Sequence, residues 1–353
     1  MYNTKVMPEV RKKRVLHDVS LELTYKCNLD CFFCYNDRDK QGAMLSLQQY
    51  RVLLEDLAQM QTLYLMLTGG EPMVHPHFFE IGRMAKDLGF AVRIRTNGHS
   101  LSKKNVARLV TEVDPYYVEV SLHGATAEVH DKQTRISGSF DRLLNSISNC
   151  QEQGIDIRAI STPTLWNEHQ IDEMIQLCDE IGVVLQFQGP VAPRDNGDLT
   201  PLQISPKPET WDKVHAYYQA RKLTAKSLPV SNKSIEVKLD SISRVGEKNL
   251  IQEEASATCS VGVASVDIDP YGNVQACMHL QESAGNLHDH SIKDIWYASP
   301  LFLRARERAI EAATQFENKE KKQLGSSVYC LAVEENLAKG GYDEDFSKAP
   351  MCS

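Results

Sequence analysis

The 353-residue sequence lacks any apolar run long enough to cross a bilayer, and its first residues hold no apolar core of a secretion signal. A membrane protein or a secreted one is therefore not expected, and the compartment implied is the cytoplasm. An excess of positive charge is missing as well: Lys+Arg number 39 against Asp+Glu 47, a net charge of -8 with no basic stripe. That balance excludes unaided binding to nucleic acid. Disulfides are not expected either, because nine cysteines in a reducing compartment point to metal ligation or catalysis. What remains is ordinary globular composition, 42% hydrophobic and 24% charged, at a length that suits one large domain and a smaller one.

The most informative stretch also lacks something. A run with Val19, Leu21 and Leu23 on one face reads as a strand, and it breaks at Thr24 into a loop holding Cys27, Cys31 and Cys34. Three thiolates spaced CxxxCxxC can converge, but a structural zinc site or an ordinary iron–sulfur cluster takes four protein ligands. The shortfall suggests an iron left open to a non-protein ligand. The plainer alternatives are a zinc knuckle or three unconnected thiols.

Beyond this loop, helix and strand patterns alternate. Ser46 and Gln49 form a capping-box pattern ahead of a helix over 46–60, with Leu53, Leu54 and Leu57 as its stripe. A buried strand over 64–67 ends at Gly69-Gly70-Glu71-Pro72, where two glycines let another group approach the backbone closely. Helices are expected over 77–88, 102–113 and 140–153 and from Asn167, which has Gln170 in a capping-box place; strands are expected over 91–96, 116–121, 156–161 and 183–188. Such alternation predicts an α/β fold with a parallel sheet and right-handed crossovers. The number of units is too small for a closed eight-stranded barrel, so the expected form is an open (β/α)6 partial TIM barrel with its site at the strand C-terminal ends. Cys150 and Cys178 fall on helices among Leu, Ile and Met and read as core thiols; His123 and His130 receive no role.

With Phe33 directly before the third cysteine, the motif resembles that of the radical S-adenosylmethionine (radical SAM) enzymes. The resemblance implies that Cys27, Cys31 and Cys34 hold a [4Fe–4S] cluster whose open iron binds S-adenosylmethionine. It implies reductive cleavage of that cofactor to a 5′-deoxyadenosyl radical, which abstracts hydrogen from substrate. Gly69, Gly70 and Glu71 match the motif that binds the methionyl amine. The remaining cofactor-binding residues it implies are Phe33, Asn97, Ser121 near the ribose, and Arg135 near the carboxylate.

Past 189 the pattern gives way to turn formers, and the barrel is expected to occupy 1–200, followed by a connecting segment over 201–255 that includes a helix over 208–221. Asp269-Pro-Tyr-Gly272 sits between alternating runs and predicts a β-hairpin, with Asp269 as turn cap. Cys259, Gly272 and Cys277 resemble the opening of the SPASM/Twitch extension of radical SAM enzymes. Residues 256–353 are thus read as a small α+β extension in which Cys259, Cys277, Cys330 and Cys352 hold one auxiliary [4Fe–4S] cluster, with an amphipathic helix over 299–317. A structural zinc or loose thiols is the alternative there.

The resemblance implies a peptide or small-molecule substrate and an electron donor such as flavodoxin or ferredoxin. Maturation of a ribosomally synthesised peptide ranks first. Cys27 comes too early for a leader-binding domain ahead of the barrel, so a separate leader-binding protein is the expected partner. A tetrapyrrole- or small-molecule-modifying dehydrogenase ranks second, and a non-catalytic iron–sulfur redox sensor is the distant alternative.

Overall fold

The computed structural model describes residues 7–221, 262–278 and 280–307. Cys259, Cys330 and Cys352, the connecting segment over 222–255 and the helix expected beyond 307 lie outside the described residues. A short helix α1 (Met7–Lys12) precedes the βα series: β1 (Asp18–Glu22), α2 (Leu47–Gln59), β2 (Tyr64–Thr68), α3 (Phe78–Asp87), β3 (Ala91–Thr96), α4 (Lys103–Arg108), β4 (Tyr117–Ser121), α5 (Ala127–Thr134), α6 (Ser139–Glu152), β5 (Ile157–Ser161), α7 (Ile171–Glu180) and β6 (Val184–Phe187). Each adjacent pair of these strands is parallel, and they stand in sequence order from β1 to β6. This is the open six-strand arrangement expected from the alternation.

The odd-numbered apolar residues of β1 and their counterparts pack under the helices. Val19, Leu21, Leu65, Leu67, Val92, Ile94, Val118 and Val120 join one core with Leu54 and Leu57 of α2, Ile81 of α3 and Leu143 of α6. Cys150 and Cys178 are buried in that same core, which explains their apolar setting. The capping box at α2 forms: Ser46 Oγ accepts from Gln49 N and Gln49 Oε1 accepts from Ser46 N. The one expected at Asn167 does not. Asn167 instead turns its amide toward the β5 loop, accepting from Thr164 N at 2.7 Å and donating to the carbonyls of Thr162 and His123. The helix α5, capped by Thr126, had no counterpart in the sequence reading.

The opposite face of the sheet lines the lumen of the partial barrel, and it is polar. Strand register places Glu22, Thr68, Arg95, Glu119 and Arg158 in one row and Asp267, Ser20, Met66, Arg93 and Tyr117 in the next. Charges there are paired: Arg95 with Glu119 at 2.9 Å, Arg93 with Asp18, and Arg158 with Asp156 at 3.2 Å.

Helix α8 (Pro208–Ala220) packs on the barrel. Trp211, Val214 and Tyr217 enter the main core, and Tyr217 Oη donates to Leu185 O of β6 at 2.9 Å. The C-terminal hairpin, β7 (Ser265–Ile268) and β8 (Asn273–Cys277), was expected, but its place was not: β7 pairs in parallel with β1 and extends the barrel sheet, followed by β8 and the edge strand β9 (Leu280–Asn286). Asp269 caps the turn as anticipated, accepting from Tyr271 N and Asn273 N. Helix α9 (Ile292–Ala298) starts at its Ser291 cap, before the expected helix, and residues 300–307 are helical again. No described helix is long and apolar enough to cross a membrane.

Because Trp211 is buried against β6 and Gly189, where an added Cβ would lie 1.9 Å from its ring, α8 belongs mechanically to the barrel. Trp211→Ala should lower the unfolding free energy by about 3–5 kcal/mol in anaerobic denaturant titration. An unchanged midpoint would make α8 a detachable connector.

Candidate active site

The cysteine loop leaves β1 at its C-terminal end and is fastened at once to the end of β2. Gly70 N donates to Thr24 O at 2.7 Å and Glu71 N to Lys26 O at 3.0 Å. The approach leaves no room for side chains. A Cβ at Gly69, where φ is +130°, would stand 2.4 Å from Thr24 O, and one at Gly70 would stand 2.6 Å from the carbonyls of Tyr25 and Lys26. The glycines are thus required by the backbone of the cysteine loop itself.

Glu71 is fully buried, and its carboxylate is occupied by protein donors. Thr96 Oγ1 donates at 2.8 Å, Asn97 N at 2.9 Å and Met73 N at 3.1 Å. Burial raises the pKa of this carboxyl and these hydrogen bonds work against the rise. Its side chain therefore ties the end of β2 to the end of β3. Asn97, at that end, turns back to the cysteine loop: Nδ2 donates to Asn28 Oδ1 at 2.6 Å and lies 3.6 Å from Cys27 Sγ.

Cys27, Cys31 and Cys34 are half-buried and free. Burial raises the pKa of all three thiols, Cys34 to about 11, and their charges raise one another further: Cys31 responds to Cys34 and Cys27, and Cys34 to Cys27. Left protonated the three thiols need no partner, but as thiolates they would repel one another unless a cation stood among them. Among the described residues no three Cys, His, Asp or Glu side chains close on a single ion. The protein sulfurs of a cubane each take a different iron, so a loop of this kind suits a cluster. An oxygen-rich cation site is not what these donors offer.

The far side of the loop rests on α5. Asp30 N donates to Thr134 O and Phe32 N to Gln133 O. Arg135, in the left-handed region at φ +58°, is exposed, with Nη1 3.4 Å from Asp30 Oδ2 and its guanidinium 4.7 Å over the Phe32 ring. Phe33 meets His123 edge to face at 4.7 Å. Burial, then the charge of His130, holds His123 down to about 3, so it is neutral at physiological pH. Ser121 stands half-buried at the end of β4, two residues before that histidine.

The structure thus gathers Cys27, Cys31, Cys34, Phe33, Gly69, Gly70, Glu71, Asn97 and Arg135 at one end of the sheet. Cys277 stands elsewhere. Register places it on the lumen face, level with Ser265 and Asp18 at the far end of β1, about 13 Å of strand below the point where the cysteine loop begins. Several participants escaped the sequence reading. Glu22 joins Tyr25 and Tyr35, Lys40 reaches Asp269 at 3.0 Å, and Phe32 packs 4.9 Å from Trp166. A signal for the first was present in the alternation, which aims Glu22 away from the apolar face of β1.

A half-buried three-thiol loop locked to a glycine turn at the mouth of a parallel α/β sheet fits an iron–sulfur enzyme of the partial-barrel type. Residues 21–181 match the radical SAM superfamily and residues 259–324 the iron–sulfur cluster-binding SPASM domain. The mycofactocin maturase MftC of Mycobacterium ulcerans is 31% identical over 294 residues, 81% of this chain and 76% of that protein. The AdoMet-dependent heme synthase of Methanosarcina barkeri is 26% identical over 82% of this chain and 84% of its own. Streptococcus suis SuiB shares the fold, with a TM-score of 0.62 at 17% identity, covering 85% of this chain and 70% of that one. The chain belongs to the radical SAM superfamily and is an enzyme of it, with S-adenosylmethionine and a [4Fe–4S] cluster as cofactors and an auxiliary iron–sulfur cluster from its SPASM domain.

Ligation by thiols with raised pKa values releases protons, so iron affinity should climb with pH. Loading of apoprotein, followed by iron and sulfide content under argon, should rise between about pH 7 and about pH 9. A flat profile would show that the cysteines are not the ligands. Gly70→Ala should separate the loop from β2 and cut cluster content by at least half at unchanged secondary structure, measured by iron content and circular dichroism.

Proposed function

We propose that this enzyme matures a ribosomally synthesised peptide by hydrogen abstraction, introducing a crosslink or another side-chain modification. A [4Fe–4S] cluster bound at the cysteine loop would supply the electron for reductive cleavage of S-adenosylmethionine, the source of the radical that takes a hydrogen from substrate. Cys27, Cys31 and Cys34 hold that cluster. Phe33, Gly69, Gly70, Glu71, Asn97, Ser121 and Arg135 form the S-adenosylmethionine site, Glu71 acting by fixing Asn97. Cys277, with Cys259, Cys330 and Cys352, serves the auxiliary cluster. In this division residues 1–200 are the radical domain, 201–255 the connection and 256–353 the auxiliary domain.

The observation that carries the peptide reading is the likeness to the maturase relative, 31% identical over 81% of this chain and 76% of that protein. The lumen face of the sheet presents Glu22, Arg95, Glu119, Gln186, Asp267 and Gln275, with Met66 and Tyr117 among them. Charged groups of this wall are satisfied within the protein, Glu22 by two tyrosines and Arg95 by Glu119, so the wall is polar without being starved of partners. The maturase relative, at 31% identity, supports this order. The heme synthase relative supports a second reading, modification of a haem-type tetrapyrrole.

An electron donor such as flavodoxin or ferredoxin reduces the cluster, and a separate protein presents the peptide leader. The thiolates and the reduced cluster suit the cytoplasm.

Cys27→Ala should abolish 5′-deoxyadenosine formation with dithionite, whereas Cys277→Ala should retain cofactor cleavage and lose at least tenfold in product turnover. Both are read by anaerobic chromatography and mass spectrometry. For substrate, a precursor peptide of the mycofactocin type, to which the relative's name points, is incubated in parallel with a haem-type tetrapyrrole, together with any short peptide found encoded beside the gene. A mass decrease of the peptide upholds the reading, and a change in the tetrapyrrole alone overturns it.

A further inference from the structure

β1 ends on Glu22, whose carboxyl is 2% exposed and turned to the lumen side of the strand. Both its oxygens are taken by tyrosines. Tyr35 Oη donates to Oε1 at 2.8 Å, and Tyr25 Oη donates to Oε2 at 3.1 Å. Tyr25 stands two residues before Cys27, and Tyr35 directly follows Cys34. One side chain therefore holds both ends of the cysteine loop.

We propose that Glu22 is a positioning residue for the first cluster, its carboxyl clamping the entry and exit of the loop so that Cys27 and Cys34 keep the span a cubane requires. The proposal rests on the reading that Cys27, Cys31 and Cys34 hold a cluster.

The entry of the loop is already fixed by Gly69 and Gly70, as described above. Its exit is held by single contacts: Cys34 N donates to Cys31 O at 3.2 Å, Asp195 N to Tyr35 O at 2.8 Å, and exposed Arg38 reaches Asp30 at 2.8 Å and Cys27 O at 3.4 Å. The clamp adds to these a buried side chain that joins both ends, so losing it would loosen Cys34 relative to Cys27. Burying a carboxyl here is costly, since burial pushes its pKa up to about 8 even with two phenols bound. A leucine would suit the strand better, so the carboxyl is explained by what it binds. The clamp also reaches the C-terminal hairpin. Tyr25 packs edge to face on Tyr271 at 5.9 Å, and Lys40, paired with buried Asp269, lies 5.7 Å from the Tyr25 ring centre.

Glu22→Leu removes both hydrogen bonds at similar volume. Glu22→Gln keeps a bridge, because its amide oxygen accepts from one tyrosine while its nitrogen donates to the other. Tyr25→Phe and Tyr35→Phe each remove one arm. Full-length variants are reconstituted anaerobically, iron and sulfide are counted, and the reduced protein is examined by electron paramagnetic resonance with and without S-adenosylmethionine.

The leucine variant should lose the signal that responds to S-adenosylmethionine and about half of its iron, while the auxiliary signal persists as a control of folding. Glutamine should restore both, and each phenylalanine variant should keep its iron but shift the g-values. Native signal and iron in Glu22→Leu would overturn the clamp. Should the leucine variant lose both signals, the phenylalanine variants decide: shifted g-values uphold it and native ones overturn it. Wild-type protein that takes up no iron would instead sink the cluster reading, and the clamp with it.

Discussion

The close contact between residues 24–26 and the Gly69-Gly70 turn is the constraint on which the site depends. Two backbone hydrogen bonds form there, at 2.7 and 3.0 Å, only because neither glycine carries a Cβ. The contact sets where the cysteine loop starts. From the same turn Glu71 reaches Asn97 and Thr96, and Asn97 reaches back to Cys27. The ends of β1, β2 and β3 are thereby tied in a ring through protein groups alone. Preorganisation of this kind means that the chain, and not the cluster, supplies the shape of the pocket.

The second constraint is the continuity of the sheet. Because β7 pairs with β1, the C-terminal hairpin shares the strand that launches the cysteine loop. Cys277 then falls on the same lumen face at the opposite end, with the paired charges of Arg95 and Glu119 level with Glu22 near the cysteine loop. A substrate in the lumen would touch a surface framed by the cysteine loop and Cys277. Lys40 and Asp269 brace the two parts from above, with Tyr271 Oη donating to Lys40 O at 2.5 Å.

Much of this was legible in the sequence, for identifiable reasons. Strands such as Ala91–Thr96 announce themselves because both their apolar content and their spacing are set by burial under helices. The cysteine spacing and the adjacent glycines are local patterns, and local patterns survive in a linear reading. What escaped depends on contacts distant along the chain. Nothing near Ser265–Ile268 says that its partner is β1, more than two hundred residues earlier, since a short alternating strand fits many edges. Asn167 sits in a capping-box pattern, yet the nearby carbonyls of His123 and Thr162 compete for its amide and win. Glu71 fits a cofactor motif, but only the fold reveals that Thr96 and Asn97 fill its carboxylate.

The most direct measurement is double resonance on the reduced protein made without oxygen, using S-adenosylmethionine labelled with nitrogen-15 at its amino group. An open iron at Cys27, Cys31 and Cys34 predicts hyperfine coupling from the labelled nitrogen to the cluster. Protein that holds zinc in place of iron, or a cluster that shows no coupling to the label, would contradict the account.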